Sequence, residues 1–383
     1  MRTRAAVLWD VGGPWSIEEL DLDDPGPGEV VVQTKVAGLC HSDEHVLQGD
    51  MSVSQADAEA FGIPPMFPLV GGHEGSGVVI EVGEGVRSVA VGDHVAASFI
   101  PSCGRCHWCS TGQQILCDVG AKIFEPGMIT DGRVAHHIGG QEANALAKLG
   151  TFAEHMLVSE DSLVKVDADL PWGPAAVVSC GVATGWGSAV HRAEVHSGDT
   201  VVVVGVGGIG INAVQGAKMA GAKRVIAVDP LEFKRETAMK LGATHTFASI
   251  DEAIAGVNEM TWGRQADKVI LTPGLVDGAM VGQAMGMVRK GGTLVVTGIT
   301  NMFATDVTLS LFDLAMSNKE VKGTLFGSGN PRADIPDLLS MYQEGTLKLD
   351  ELITRTYTLE QINEGYQDLR DGKNIRGVIT FGD

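Results

Sequence analysis

The run Thr200-Val-Val-Val-Val-Gly205 leads directly into Gly205-Val-Gly-Gly-Ile-Gly210, and together they restrict the fold more than any other stretch. A short, fully apolar segment is what a strand covered on both faces requires, and parallel sheets bury their strands in that way. The glycines have the spacing G-x-G-x-x-G and are followed by a helix-forming stretch, Ile211–Ala220, and a second apolar run, Arg224-Val-Ile-Ala-Val-Asp229. In this setting Gly205 permits the tight turn, Gly207 lets backbone amides reach a pyrophosphate, and Gly210 lets helix and strand approach closely. Gly208 and Ile209 complete the loop. Asp229 ends the second run, near the ~20-residue offset at which an acid meets an adenosine ribose, and its charge repels a 2′-phosphate. NAD is therefore favoured over NADP. Lys234 is placed to line the adenosine site. Glycine is common here, with 51 in 383 residues, so the spacing alone could be chance. The order of strand, loop, helix, strand and acid carries the reading.

The alternation continues through a helix candidate, Lys234–Leu241, and two strand candidates, Asp267–Leu271 and Gly292–Thr297, which predicts a doubly wound parallel sheet. Up to about residue 165 the style differs. Short β-rich runs (Ala5–Trp9, Trp15–Leu20, Val30–Ala37, Gly75–Val82, His94–Ser98) are separated by Gly/Pro turns and long loops, as in an irregular, mostly β domain. A chain of 383 residues exceeds the usual limit for one core, so two domains of an α/β protein are expected. With 28 basic and 48 acidic residues, the net charge of −20 argues against nucleic acid or an anionic membrane as partner. No apolar run reaches the ~18 residues of a membrane span, and the N-terminus lacks a signal peptide's apolar centre. A cytoplasmic protein is expected. There, six cysteines point to metal binding or catalysis rather than disulfides.

Four of the six cysteines fall in Cys103-Gly-Arg-Cys-His-Trp-Cys-Ser-Thr-Gly-Gln-Gln-Ile-Leu-Cys117. Cys103, Cys106, Cys109 and Cys117 supply four soft thiolates on a short loop, which suits a closed, structural tetrahedral zinc site. An iron–sulfur loop would ask for a shorter final gap followed by proline. A disulfide pair is the remaining alternative. Cys40 and Cys180 are left, with eleven histidines. Two cysteines and one histidine form a known catalytic zinc arrangement. Taken singly, though, Cys40, His73 and Cys180 read equally as ordinary core residues, and spacing does not decide between the two.

Seven motifs decide it by resemblance: Gly38-Leu-Cys-His-Ser-Asp-Glu-His45, Gly71-Gly-His-Glu-Gly-Ser-Gly77, Gly92-Asp-His-Val95, the four-cysteine loop, Cys180-Gly-Val-Ala-Thr-Gly-Trp-Gly187, the glycine loop, and Gly372-Lys-Asn-Ile-Arg376. In this order, over nearly the whole chain, they resemble the zinc-containing medium-chain alcohol dehydrogenases. The resemblance implies a GroES-like catalytic domain from residues 1–181 and 326–383, with a Rossmann domain, 182–325, inserted. It implies two zinc ions per chain. The catalytic one would be held by Cys40, His73 and Cys180 with Glu74 beside it, and the structural one by the four-cysteine loop. Asp43 would hold a ligand histidine. Ser42 and His45 match a proton relay, and Phe99 a substrate-pocket aromatic. His41, Thr184, Gly298, Ile299 and Arg376 would join the glycine loop, Asp229 and Lys234 as NAD contacts. The implied reaction is hydride transfer between an alcohol and NAD, giving an aldehyde or ketone, in a homodimer or homotetramer.

The chain also departs from common members. A longer loop separates Cys40 from His73, and a second long segment follows Cys117 and runs to about Lys148. With the details of 205–217 and Asp229–Lys234, these loops resemble the nicotinoprotein branch. Its members keep NAD(H) bound and are assayed with N,N-dimethyl-4-nitrosoaniline. Glutathione-dependent formaldehyde oxidation is the enzymatic alternative, and a non-catalytic NAD-binding scaffold the other. Asp306–Leu311 is a candidate edge strand for assembly.

Overall fold

The computed structural model describes residues 1–123 and 125–382. By contact density these fall into two units, Met1–Cys180 with Asn330–Asp383, and Gly181–Gly329.

In the first unit the axis is the long strand Glu29–Leu39, buried along most of its length by alternating and β-branched residues. The sheet around it runs Leu163–Lys165, His94–Ala97, Gly75–Val82, Glu29–Leu39, Arg376–Thr380, Ile353–Tyr357, with His155–Ser159 also paired to the long strand. A small closed barrel adjoins it, built from Arg2–Leu8, Ser16–Leu22, His136–Ile138, Gln141–Ala145 and Leu69–Val70. Closure leaves this barrel no free edge. Trp15, Leu39, Phe152 and Tyr366 are among the residues that fill the core between sheet and C-terminal helix.

Register is what makes this unit a site. Leu39 pairs with Gly377, so Cys40 and Arg376 emerge at the same end of neighbouring strands. Ala37 pairs with Gly75, which brings the turn carrying His73 and Glu74 to that end from the other side.

The second unit is a six-stranded parallel sheet in the order His245–Phe247, Arg224–Val228, Thr200–Val204, Ala266–Leu271, Val288–Val296, Glu320–Gly323. This is the doubly wound Rossmann order, reversing direction at Thr200–Val204. Val201, Val202 and Val203 are fully buried, as a central parallel strand requires. The turn Phe326–Ser328 belongs here too: a Cβ on Gly187 would lie 2.5 Å from the carbonyl oxygen of Gly327.

One candidate strand pairs with nothing in this chain. Residues 306–310 form no strand; the helix Leu311–Met316 follows, capped by the Ser310 hydroxyl, which accepts from the Asp313 amide. The edge of the sheet is Glu320–Gly323 instead. The alternation in Asp306-Val-Thr-Leu-Ser-Leu311 has no neighbouring strand to pair with inside the unit, and Ser310 favours a helix start.

Candidate active site

Cys40 is the N-cap of the helix His41–Gln48, in extended conformation at φ −123° and ψ 152°. Its side chain makes no capping hydrogen bond, and the helix carries Ser42, Asp43 and His45 alongside. Cys180 sits in a π-helical turn, Val178–Val182, continuing the helix Trp172–Val177. Such one-turn insertions re-aim a side chain without ending the helix. His73 and Glu74 follow Gly72, whose φ of +88° only glycine adopts readily, and whose Cβ would lie 2.4 Å from the Thr151 hydroxyl.

These elements bring ligand atoms of Cys40, His73, Glu74 and Cys180 within 4.8 Å of one another, all four buried. Asp43 lies 3.0 Å from His73 Nδ1 through Oδ2, and its other oxygen accepts from the Gly72 amide at 2.9 Å. His73 Nε2 and Glu74 Oε1 are buried with no hydrogen-bond partner. Glu74 Oε2 instead takes a short hydrogen bond from Arg376, which is itself buried. A Cβ on Gly38 would lie 2.1 Å from that carboxylate oxygen, so the pair needs glycine there.

Protonation in the cluster is shared. A hydrogen bond from Cys180, with the neighbouring His73, holds the Cys40 thiol well below its usual range, while the same bond to Cys40, then burial, pushes Cys180 well up. Burial opposes charge on His73, but Asp43 and Cys40 outweigh it and hold the imidazole well above its ordinary value. Burial, against the attraction of Arg376, pushes Glu74 up to about 7. Two sulfurs, an orphaned imidazole nitrogen and a carboxylate, gathered and dehydrated, fit a zinc ion.

Around this cluster, Ser42 Oγ lies 3.8 Å from Cys40 Sγ. His45 Nδ1 lies 2.9 Å from Asp50 Oδ2, and its ring is 6.4 Å from the exposed ring of His41. Phe99 packs edge-on against His73, centroids 5.6 Å apart.

Cys103, Cys106, Cys109 and Cys117 form the second group within the same 4.8 Å limit. None of the six cysteines is paired in a disulfide. Backbone amides already point at this loop's sulfurs: Cys109 N donates to Cys106 Sγ at 3.5 Å and Cys103 N to Cys117 Sγ at 3.4 Å. Those on Cys106, from Cys109 and Asp118, bring its thiol down to about 7; burial pushes Cys117 up to about 12. Trp108 is half-buried beside His107, 5.3 Å between rings, so it flanks the loop.

In the second unit, Gly205 has φ +84°, and a Cβ on Gly210 would lie 1.8 Å from the Gly205 carbonyl oxygen. Gly207 is open: the nearest atom to its Cβ position is Lys234 Nζ, at 3.9 Å. Asp229 is buried beside the loop, accepting from the Val206 and Leu231 amides at 3.0 Å each. The helix bearing Thr184 packs on the loop, since a Cβ on Gly185 would lie 2.0 Å from the Ile209 carbonyl oxygen. Cβ atoms added to Gly205 and Gly298 would both crowd Pro273, and Ile299 accepts from the Val276 amide at 2.8 Å.

Residues 26–168 match the alcohol dehydrogenase GroES-like domain, and residues 208–344 match the zinc-binding dehydrogenase family. The chain is 54% identical over 379 residues to an NDMA-dependent alcohol dehydrogenase of Amycolatopsis methanolica, covering 99% of each.

The chain belongs to the zinc-containing medium-chain alcohol dehydrogenases.

It is 47% identical over 383 residues to alcohol dehydrogenase B of Mycobacterium tuberculosis, covering 100% of this chain and 99% of that one. The crystal structure of a benzyl alcohol dehydrogenase of Acinetobacter calcoaceticus, 28% identical, superposes with a TM-score of 0.89 over 100% of both chains. As an alcohol dehydrogenase of this family the protein is an oxidoreductase of small molecules that uses zinc and NAD. No helix among the described residues is long and apolar enough to cross a membrane.

Sequence reasoning missed the supports of the site. Gly38 carries no spacing signal because the Glu74–Arg376 pair it makes room for is brought near only by the fold, and Asp50, five residues from His45, gave none either.

Proposed function

We propose that Cys40, His73 and Cys180 hold the catalytic zinc, with Glu74 beside it, and that the four-cysteine loop holds a structural zinc. The observation that carries this reading is the buried four-residue cluster with His73 Nε2 unpartnered inside it. Zinc supplies a Lewis acid that acidifies an alcohol's hydroxyl, and NAD supplies the hydride acceptor.

The chain's own side chains do the rest. Asp43 fixes the tautomer and ring plane of His73 by taking Nδ1–H, leaving Nε2 to face the cluster. Phe99 gives the substrate an apolar wall against the same ring. Ser42 accepts the proton that the alcohol loses and hands it on toward His45, which Asp50 orients. Arg376 attracts the Glu74 carboxylate and partly offsets the burial that pushes it up to about 7. In the second unit, Gly207 and Gly208 leave room for the pyrophosphate, Asp229 receives the adenosine ribose, and Lys234 stands over the loop.

The reading extends to NAD(H) that stays bound and is recycled by a second substrate, with primary or secondary alcohols and their aldehydes or ketones as substrates. High identity to an NDMA-dependent enzyme supports it. It also takes the protein as cytoplasmic, which six free thiols suit, and as a homodimer or homotetramer. Denaturing the purified enzyme should release NAD(H), and turnover should respond to N,N-dimethyl-4-nitrosoaniline rather than to added NAD. Freely exchanging NAD and ordinary NAD-dependent kinetics would overturn the bound-cofactor reading.

A further inference from the structure

The long segment after Cys117 ends in a turn, Leu146–Lys148, directly behind the strand Gln141–Ala145. Both Ala147 and Lys148 stand there at positive φ, 50° and 61°, a conformation that residues with a Cβ take rarely. Lys148 is only 6% exposed. A lysine is almost never covered to that degree unless something pairs with its charge. Yet among the described residues its ammonium group makes no hydrogen bond and no ion pair.

What Lys148 does border is a cavity of about 230 Å³, closed on its other sides by the loop 125–132 and by Lys122. Its lining is mostly polar. No residue assigned above to zinc, the proton relay or NAD takes part in it. The space is larger than the ~30 Å³ share of one water and smaller than the ~300 Å³ at which sites for drug-sized ligands begin, so it suits a small occupant.

Charge says which kind. An ammonium group has donors and no acceptor, so the occupant that satisfies it must accept hydrogen bonds, and a negative one also neutralises it. Lys122, exposed at the rim, adds a second positive charge. Two acids line the cavity as well, and neither meets the need. Asp131 is engaged by Arg133, whose amide donates to it at 3.0 Å and whose Nε lies 3.4 Å away. Glu125 is exposed and attracts Lys148 only through space. Burial outweighs that attraction and brings the lysine down to about 8, so its charge is held at a cost that an anion in the cavity would offset.

We propose that this cavity is a binding site for a small oxyanion of sulfate or phosphate size, with Nζ of Lys148 as its buried anchor and Lys122 at its rim. The site lies outside the dehydrogenase chemistry and does not depend on the zinc assignment.

The test is calorimetric titration of sulfate into the full-length, zinc-loaded protein saturated with NAD, so that the dinucleotide loop is already filled. Chloride holds the ionic strength constant. The wild type should show one saturable site. Lys148→Met, which keeps an unbranched apolar stem, should weaken it by about tenfold or more, as loss of a charged hydrogen-bond partner does. Lys122→Ala, an exposed change that leaves the fold intact, should weaken it by about twofold. Binding needs the ammonium form, so in the wild type it should be full below about pH 8 and fall as the pH rises to about 9. The other charged groups facing Lys148 are Lys122, Glu125 and Asp131 from the loop side, while His136 behind it, pushed down to about 4, stays neutral over that range. Sulfate heats that do not saturate overturn the inference. So does a site that ignores both Lys148→Met and the rise in pH, since that anion would be seated elsewhere.

Discussion

Asp43 Oδ2 lies 3.0 Å from His73 Nδ1, and neither side chain meets solvent. In the proposed site this contact leaves Nε2 of His73 to face Cys40 and Cys180. Removing the carboxylate with Asp43→Ala frees the ring to turn and leaves Nδ1 unpaired in the core. Catalytic-zinc affinity should then fall about 10–100-fold while the four-cysteine zinc is retained. Metal analysis after graded chelator treatment reads both sites; unchanged affinity would mean that Asp43 does not orient His73.

The Ser42 hydroxyl lies 3.8 Å from the Cys40 sulfur. Replacing it with alanine removes a proton acceptor without touching a ligand. Turnover should drop about 10²-fold or more with zinc content unchanged, since positioned proton transfer contributes on that scale. Near-normal turnover of Ser42→Ala would refute the relay.

How much of this was legible in the sequence depends on the kind of signal. The Rossmann unit announced itself because Thr200–Gly210 and Arg224–Asp229 are local: period, glycines and acid lie close along the chain. The four-cysteine loop was equally local. Cys40, His73 and Cys180 were legible only through resemblance, since the register of Glu29–Leu39 with its neighbours is what gathers them. Tyr366 and Arg370 gave no signal. Tyr366 meets Trp15 and Phe152, and Arg370 meets Glu44, all more than two hundred residues away, and such contacts are invisible to periodicity. Asp306–Leu311 has strand-like alternation but no neighbouring strand within the chain.

Gly210 is where the dinucleotide loop tolerates least. A methyl group there would sit 1.8 Å from the Gly205 carbonyl oxygen, forcing the helix off the strand. Gly210→Ala should abolish NAD(H) retention, measured on the denatured protein, and leave both zincs in place. Full NAD(H) content in the variant would show that the loop does not hold the pyrophosphate as argued.

His136 gives a pH dependence. Burial, with His137 next, pushes it down to about 4 from an ordinary value near 6.5. The folded state therefore keeps it neutral where the unfolded chain takes up a proton. Its stabilising effect is full above about pH 6.5 and is lost as the pH falls toward 4, by about 3 kcal/mol at most. His136→Gln should narrow the fall in melting temperature between about pH 7.5 and about pH 5, although the variant is less stable at the higher pH. A wild-type and variant difference that stays constant over this range would contradict the buried, neutral histidine.

The central claim is that Cys180, alone of the residues beyond the first hundred and seventeen, closes a zinc site with Cys40 and His73. Counting zinc in purified wild type and Cys180→Ser tests it most directly. The wild type should hold two zinc ions per chain; the variant should hold one, keep its four-cysteine site, and lose alcohol oxidation. Two zinc ions retained in Cys180→Ser, or a wild type with only one, would contradict the account.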